Sequence, residues 1–195
     1  MISLNIFTKC PNTGDPKKRM YNLLNKSGRS NLAKIMLCNI LTETKDLGLN
    51  IRKNLWVFPN YYDDYIDGLS NDYGVSLKNQ TGNSLTSRMI YCLFTESKIS
   101  DKIILIGSDI PSLTKKTIMK SINILDSHDV VLGPSYDDGF YLIGIKDISM
   151  CEQLINYGDL ISFRDINKFL VSINKKVGLL DKHKDIDEPR DLLSI

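Results

Sequence analysis

Short apolar runs alternate with segments of helical periodicity along most of the chain, and this alternation constrains the fold more than any other feature. The run at 103–106 is continuously apolar, which is typical of a strand buried on both faces. The pattern predicts strands at 2–7, 55–58, 75–77, 102–107, 129–133, 140–145 and 177–180. It predicts helices at 30–47, within 60–74, and at 84–97, 114–125, 150–156 and 163–172, with a short last helix near Glu188. Alternating strands and helices indicate one α/β domain over 1–195, with a mainly parallel sheet covered on both sides.

The composition of the chain indicates which classes of binding partner are not expected. Lys and Arg total 25 against 23 Asp and Glu, a net charge of +2 without a basic stripe, so we expect no nucleic-acid partner. No apolar run approaches the ~20 residues that span a bilayer, and the N-terminus lacks the features of a signal peptide, so we expect no membrane partner. The four cysteines are far apart and form no Cys-x-x-Cys pair. Reduced thiols in a cytoplasmic protein are the simplest interpretation.

A basic loop follows the first predicted strand, at the edge of the sheet where α/β folds bind ligands. It contains Gly14, Lys17 and Arg19 among prolines. A Gly/Pro loop can bring backbone N–H groups near an anion, and Lys17 and Arg19 add charge for phosphate oxygens. The alternative is a solvated basic loop. Neither a Walker A loop nor a dinucleotide fingerprint is present, which disfavours an NAD-type oxidoreductase.

Asp109 comes directly after the most apolar predicted strand, between Gly107 and Pro111. Mg²⁺ takes one or two protein carboxylates and completes its shell with water and phosphate oxygens, which makes Asp109 a candidate ligand. The alternative is a turn residue whose carboxylate bonds its own backbone. Thr114 is predicted to cap the helix that follows.

Two further acidic segments have structural alternatives of their own. Asp137-Asp138-Gly139 lies between two apolar runs, and Asp-Gly pairs favour tight hairpin turns. Near the C-terminus, Asp187 is a candidate cap for the last helix, whereas Asp185 has no such structural role and is free to complete a metal site. Taken singly, each of these carboxylates favours the structural interpretation.

Five segments in this order resemble a bacterial family of GT-A-like transferases, selenodomain-associated transferase 1. That family is related to the molybdenum-cofactor and phospholactate guanylyltransferases of the nucleotide-diphospho-sugar transferase superfamily. Three positions depart from its pattern: Lys18 replaces Thr, Thr86 replaces Gly, and Asp138 replaces the first Gly of a Gly-Gly pair. The matching positions are Lys9, Pro11, Gly14, Lys17, Arg19 and Met20; Gln80, Gly82, Leu85, Arg88 and Met89; and the stretches 107–114, 131–144 and 185–192.

The resemblance implies a three-layer α/β/α Rossmann-like GT-A fold with a mainly parallel mixed sheet. It implies that Lys17, Arg19 and Asp109 act in catalysis. It implies Mg²⁺ or Mn²⁺ as the cofactor, held by Asp109 with Asp185 or Asp187. The nucleotide-binding residues that it implies are Lys9, Pro11, Gly14, Lys17, Arg19, Gln80, Arg88, Ser108, Asp137 and Gly139.

The implied partners are a nucleotide or nucleotide-sugar and a small acceptor, in a monomer or a homodimer. Two reactions remain open at this point, nucleotidylyl transfer from an NTP and glycosyl transfer from a nucleotide-sugar. The basic loop favours the first and the family favours the second. A non-catalytic nucleotide-binding protein is a third alternative, motivated by the glycines replaced at Thr86 and Asp138. Tyr61, Tyr62 and Tyr65 either line an acceptor pocket or pack on the sheet.

Overall fold

Strands and helices alternate along the chain, as the apolar pattern predicts. The structure, a computed structural model, describes residues 1–59, 63–146, 149–157 and 162–194. The strands are β1 (Ile2–Lys9), β2 (Ile51–Phe58), β3 (Ser76–Asn79), β4 (Lys102–Gly107), β5 (Val130–Pro134), β6 (Phe140–Ile145) and β7 (Val177–Leu179). The α-helices are α1 (Lys26–Thr44), α2 (Asp64–Tyr73), α3 (Leu85–Ser97), α4 (Lys115–Ile124), α5 (Ser149–Tyr157) and α6 (Phe163–Ser172). Within the described residues, no helix is both long and apolar enough to cross a membrane.

The described strands form a seven-stranded sheet in the order β3-β2-β1-β4-β6-β5-β7. Strand β1 lies between parallel neighbours, with Ile6 opposite Leu55 of β2 and Ile106 of β4. Strand β6 runs antiparallel to both β4 and β5, and the other pairs in this sheet are parallel. The predicted mainly parallel mixed sheet is confirmed. Because β1, β2 and β4 are parallel, their carboxyl ends meet at one edge.

Two apolar clusters cover the two faces of the sheet and make three layers. On β4, Ile104 and Ile106 pack with helices α1, α2 and α4, while Ile103 and Leu105 pack with α3, α5 and α6. All four side chains are at most 3% exposed. Side chains alternate between the faces of a strand, so a continuously apolar run is required where both faces are covered.

Helix α1 and strand β2 both begin earlier than predicted, because their first residues are mostly polar. Helix α1 begins at Lys26 instead of 30, because the Asn25 side chain accepts the Gly28 N–H and caps it. It ends at Thr44, before the predicted 47. Strand β2 begins at 51 instead of 55, because buried Asn54 donates to the Asn5 side chain at 2.9 Å. The last helix is a short 3₁₀ segment, Pro189–Ser194.

Candidate active site at the carboxyl edge of the sheet

A cavity of about 560 Å³ lies at the carboxyl edge of the sheet. It is bordered by the loop after β1, the end of β2, the first turn of α3, the turn after β4 and the segment after β7. A smaller cavity of about 240 Å³ shares Arg19, Asp185 and Asp187 with it and is also lined by Asp137. The predicted residues that line the larger cavity are Lys9, Lys17, Arg19, Gln80, Arg88, Ser108, Asp109, Asp185 and Asp187.

Gly14 shapes the loop after β1 through close packing of the backbone. Its N–H donates to the Cys10 carbonyl oxygen at 2.8 Å. A Cβ at this position would lie 2.7 Å from that oxygen and 3.0 Å from the Phe58 carbonyl oxygen. Only glycine fits this approach without a backbone shift. Neither Gly14 nor Pro11 lines the cavity, so both predicted binding residues act here as parts of the loop.

Arg29 holds the rest of this loop, and the sequence analysis missed it. From the first turn of α1 its guanidinium donates to the Asp15 carboxylate at 2.6 Å and to the Pro16 carbonyl oxygen at 3.4 Å. These bonds oppose the strain of positive φ angles at Asp15 (45°) and Lys17 (52°). Arg29 lies in a polar stretch with no motif, so the sequence carries no signal for this contact.

Lys17 lies at the centre of the site and is almost fully buried, with its side chain 3% exposed. Its ammonium nitrogen is 2.6 Å from an Asp109 carboxylate oxygen and 3.4 Å from one of Asp187. It also donates to the Ile186 carbonyl oxygen at 2.6 Å. Arg19 is 68% exposed, and its guanidinium lies 3.4 Å from the other Asp187 oxygen. The structure therefore joins the predicted cations to the predicted carboxylates.

The Asp109 carboxylate is directed by tertiary contacts rather than by its own turn. Among the described residues, the Asp109 carboxylate forms an ion pair with Lys17 and no hydrogen bond to the backbone of its own turn. Its carbonyl oxygen accepts the Ile186 N–H at 3.0 Å, which joins the turn after β4 to the segment after β7. The turn-residue alternative is therefore not supported. Thr114 caps α4 through the Thr117 N–H, as predicted.

Asp191, inside the last helical segment, binds the backbone just before that segment begins. Its carboxylate accepts the backbone N–H groups of Asp187 at 3.0 Å and Glu188 at 2.7 Å. Among the described residues, the recognised contacts of the Asp187 carboxylate are with cations and not with N–H groups of the helical segment, so the structure does not support the capping interpretation of Asp187. The Asp187 side chain is left to face Lys17 and Arg19 across the cavity.

Asp185 lies in a crowded acidic environment. Burial raises the pKa of its carboxyl, and the carboxylates of Asp137 and Asp187 raise it further. Such crowding favours a nearby cation. Among the described residues, however, no group of three or more His, Cys, Asp or Glu side chains is arranged to hold a metal ion. Asp109 and Asp187 instead share one lysine, so the donor set brought together here consists of two carboxylates.

The hairpin interpretation of the turn between β5 and β6 is confirmed. The Asp137 carboxylate accepts the Gly139 N–H at 2.9 Å, which closes the turn. Asp138 takes a φ of 68°, so it occupies the left-handed region that the family's glycine would occupy. Thr86 is buried in the first turn of α3, where a glycine is not needed for the backbone. At both positions the residue present is compatible with the local backbone of this protein.

Gln80 and Ser108 connect strand ends within the wall of the cavity. The Gln80 amide nitrogen donates to the Thr8 carbonyl oxygen at 3.0 Å and to that of Trp56 at 2.9 Å, bridging β1 and β2. The Ser108 hydroxyl donates to the Thr8 hydroxyl at 3.3 Å. Both predicted binding residues therefore have structural partners in addition to facing the cavity.

The tyrosines after β2 divide into two groups. Tyr65 packs between helices, with its hydroxyl 3.4 Å from the Cys38 sulfur and the Lys34 ammonium 4.8 Å from its ring centre. It does not line the cavity, so packing is the correct interpretation for this residue. Tyr61 and Tyr62 lie outside the described residues.

A family profile matches residues 49–158, more than half of the chain. The chain belongs to this family, DUF2064, described as an uncharacterized protein conserved in bacteria. The DUF2064 match contains Gln80, Arg88, Asp109 and Asp137, whereas the loop with Lys17 and the C-terminal acidic segment lie outside it. A search of curated proteins gave no match to this chain.

Solved structures share the whole fold of this DUF2064 protein. A protein of Desulfovibrio desulfuricans G20, named as a candidate nucleotide-diphospho-sugar transferase, superposes with a TM-score of 0.78 at 22% identity, covering 98% of this chain and 84% of that one. The 4-diphosphocytidyl-2C-methyl-D-erythritol synthase of Anaerococcus prevotii DSM 20548 gives 0.65 at 13% identity, covering 100% and 93%. Rv0371c of Mycobacterium tuberculosis H37Rv, in complex with manganese, gives 0.60 at 13%, covering 99% and 96%. The predicted fold class is confirmed.

Proposed function

We propose that this protein is a nucleotide- and divalent-metal-dependent transferase that moves a nucleotidylyl group from an NTP to a small acceptor. The observation that carries the proposal is the convergence of Lys17, Asp109 and Asp187 in one cavity at the carboxyl edge of the sheet. Ligands of open α/β sheets bind at this edge. The fold shared with nucleotide-diphospho-sugar and cytidylyl enzymes, and the motif resemblance to selenodomain-associated transferase 1, support the same class of reaction.

Asp109 and Asp187 are the residues that we propose for Mg²⁺ or Mn²⁺, with Asp185 beside them. Two carboxylates fit a metal that takes most of its shell from water and phosphate. The position of the Lys17 ammonium between the two carboxylates supports a preference of this site for positive charge. When bound, the metal would neutralise negative charge on the phosphates. The manganese complex of Rv0371c supports this type of cofactor for the fold.

The cations of the first loop supply the remaining positive charge. Arg19 is mostly exposed, and Lys9 and Lys18 also face the cavity, so their donors are accessible to a triphosphate. Transfer at phosphorus requires little covalent chemistry from the protein, and stabilisation of charge and alignment of the acceptor supply most of the rate. The number of cations lining one wall favours a triphosphate over a diphosphate-linked sugar, and this favours nucleotidylyl transfer.

Glycosyl transfer from a nucleotide-sugar is the second candidate, and the name of the D. desulfuricans structure favours it. The two reactions differ in their products. Nucleotidylyl transfer releases pyrophosphate from an NTP, whereas glycosyl transfer releases a nucleoside diphosphate from a nucleotide-sugar. Assays of both products over panels of NTPs and nucleotide-sugars, each with Mg²⁺ and Mn²⁺, decide between them.

A non-catalytic nucleotide-binding protein remains the alternative outside the enzymes. This alternative was suggested by the replacement of glycines at positions 86 and 138. The backbone at both positions is compatible with the residue present, which weakens the alternative. Turnover by the unaltered chain would eliminate this alternative. Nucleotide binding without any product, restored to turnover by Thr86→Gly with Asp138→Gly, would support it.

The test of the site itself is Asp109→Ala, with Asp126→Ala as the matched control. Asp126 is an exposed carboxylate paired with Lys102, and it lies outside the cavity. A thermal-shift screen identifies a stabilising nucleotide and metal, since specific ligands stabilise the native state. We expect Asp109→Ala to abolish metal-dependent nucleotide binding while it keeps a cooperative thermal transition, and Asp126→Ala to bind normally. Unchanged titrations of the Asp109→Ala protein would contradict the assignment.

A further inference from the structure

Arg88 differs from the other cations that line the larger cavity. Lys17 and Arg19 are paired with the carboxylates described above, and Lys18 lies 3.3 Å from an Asp15 carboxylate oxygen. Lys9 is exposed, so water screens its charge. Among the described residues, no ion pair is formed by Arg88, although it is only partly exposed. A half-buried cation without a counter-charge is unfavourable unless a ligand supplies one.

The surroundings of Arg88 position its guanidinium on an aromatic ring, while the described residues offer no acceptor to its Nε donor. The guanidinium carbon lies 4.0 Å from the centre of the Phe58 ring, so the planar group is positioned against an aromatic face. The Nε atom is buried and has no hydrogen-bond partner among the described residues. Burial lowers the pKa of Arg88, which reflects the cost of taking its charge out of water.

Neighbouring apolar side chains make this part of the cavity a site of low polarity. Leu85, Met89 and Phe140 line the cavity together with Arg88 and Phe58. In such surroundings an ion pair is much less screened than in water, and a guanidinium can bind a phosphate or carboxylate through two parallel hydrogen bonds. Arg88, positioned on Phe58, therefore presents to the cavity a donor group that has no counter-charge within the described part of the chain.

We propose that Arg88 binds an anionic group of a substrate, a phosphate or a carboxylate, at a subsite formed on Phe58 beside the first turn of α3. The proposal rests on the proposed function only in treating the cavity as the substrate site. Two sources fit the chemistry, a phosphate of the nucleotide and an anionic group of the acceptor. The loop after β1 carries its own cations, so Arg88 provides a second anchor at the α3 side of the cavity.

Titration of the protein with inorganic phosphate tests the subsite without metal or nucleotide. Arg88→Met keeps an unbranched apolar side chain on Phe58 and removes the charge, and Arg88→Lys keeps the charge but not the planar pair of donors. Lys98→Met is the matched control, because Lys98 also lies over an aromatic ring, Phe94 at 4.2 Å, at the other end of α3 and outside the cavity. Thermal unfolding of each variant checks that it is folded.

We expect Arg88→Met to weaken phosphate binding between about tenfold and a hundredfold, Arg88→Lys to weaken it less, and Lys98→Met to leave it unchanged. A parallel titration with the stabilising nucleotide identifies the source. Weaker nucleotide binding by Arg88→Met assigns the subsite to a nucleotide phosphate, and unchanged nucleotide binding assigns it to the acceptor. The proposal is overturned if the folded Arg88→Met protein binds phosphate as tightly as the wild type, or if the wild type binds none. Failure of Asp109→Ala to affect metal and nucleotide binding would leave this result intact.

Discussion

The Lys17 ammonium lies 2.6 Å from an Asp109 carboxylate oxygen, joining the loop after β1 to the turn after β4 inside the protein. The same nitrogen reaches the segment after β7 through Asp187 and the Ile186 carbonyl oxygen. One buried cation thus connects three segments that are distant in sequence. Since a divalent cation at these carboxylates would compete with Lys17, the lysine becomes a direct test of the metal site.

Lys17→Met should lower the free energy of unfolding by about 1–2 kcal/mol without metal, because two partly exposed carboxylates lose their counter-charge. Saturating Mg²⁺ or Mn²⁺ should then raise the melting temperature of Lys17→Met more than that of the wild type, since the competing ammonium is gone. Thermal melts with and without metal measure both effects. Lys18→Met, which removes an exposed lysine paired with Asp15, is the control. An equal metal response in Lys17→Met and the wild type would argue against metal binding by Asp109 and Asp187.

Gly14→Ala should destabilise the protein by about 1–3 kcal/mol, because the added Cβ meets backbone oxygens of Cys10 and Phe58 that cannot move independently. Gly68→Ala is the matched control, since a Cβ there meets nothing within 4 Å and Gly68 lies inside α2. Alanine in a helix interior should increase stability by up to about 1 kcal/mol. Urea denaturation of the two variants should therefore give changes of opposite sign. A neutral Gly14→Ala would show that the loop adjusts at little cost.

Glu96 should contribute a pH-dependent part of the stability. It is fully buried and accepts hydrogen bonds from Ser3 and Lys78, each at 2.6 Å, and from Arg52. Burial acts to raise the pKa of Glu96, but its hydrogen bonds and the positive charges outweigh burial, so the pKa is lowered. A carboxyl with a lowered folded-state pKa stabilises above its unfolded pKa of about 4.3, and this stabilisation disappears as the pH falls through the folded value.

Glu96→Gln should accordingly cost roughly 1.5–3 kcal/mol at pH 7, and the difference from the wild type should shrink below pH ~4. Urea denaturation at pH 7, 5, 4 and 3 measures this dependence. A difference that stays constant down to pH 3 would mean that the charge of Glu96 does not matter. The network lies at the opposite end of β1 from the cavity, so ligand binding at pH 7 by folded Glu96→Gln should be unchanged.

Asp138 should tolerate glycine but not a β-branched residue. Its φ of 68° is accessible to Asp and Gly and strained for Val. Asp138→Gly should therefore change the free energy of unfolding by less than about 1 kcal/mol, since relief of strain is offset by the greater freedom of the unfolded chain. Asp138→Val should cost about 1–3 kcal/mol. Chemical denaturation of the pair tests this, and equal stabilities would contradict the role of the left-handed backbone.

Several features of the site could be predicted from the sequence because they depend on local pattern. The apolar run at 103–106 predicts a buried strand, and a strand in a parallel sheet places the residue after it at the ligand-binding edge. That reasoning located Asp109 correctly at the cavity. The Asp-Gly turn at 138–139 and the Thr114 cap are equally local, since each depends on backbone geometry within a few residues.

Contacts between distant segments could not be predicted in the same way. Asp187 pairs with Lys17 and Arg19, whereas Asp191 accepts backbone N–H groups before the last helical segment, and neither contact follows from the spacing of these residues. The contact of Arg29 with the loop after β1 could not be predicted from the sequence, because its partners lie 13 and 14 residues earlier in an irregular segment. Asn54 is buried within a strand, where its polar partner Asn5 lies opposite to it on the neighbouring strand.

By itself, the sequence determined the alternation of strands and helices, the two-sided burial of β4 and the edge of the sheet at which charged residues gather, because periodicity and turn chemistry act over short distances. Only the tertiary structure decided how those charges pair. It buried Lys17 between Asp109 and Asp187 and placed Arg88 on Phe58 without an ion pair among the described residues. Ion pairing depends on distances across folded segments and on exclusion of water, and neither property is encoded in the spacing of residues along the chain.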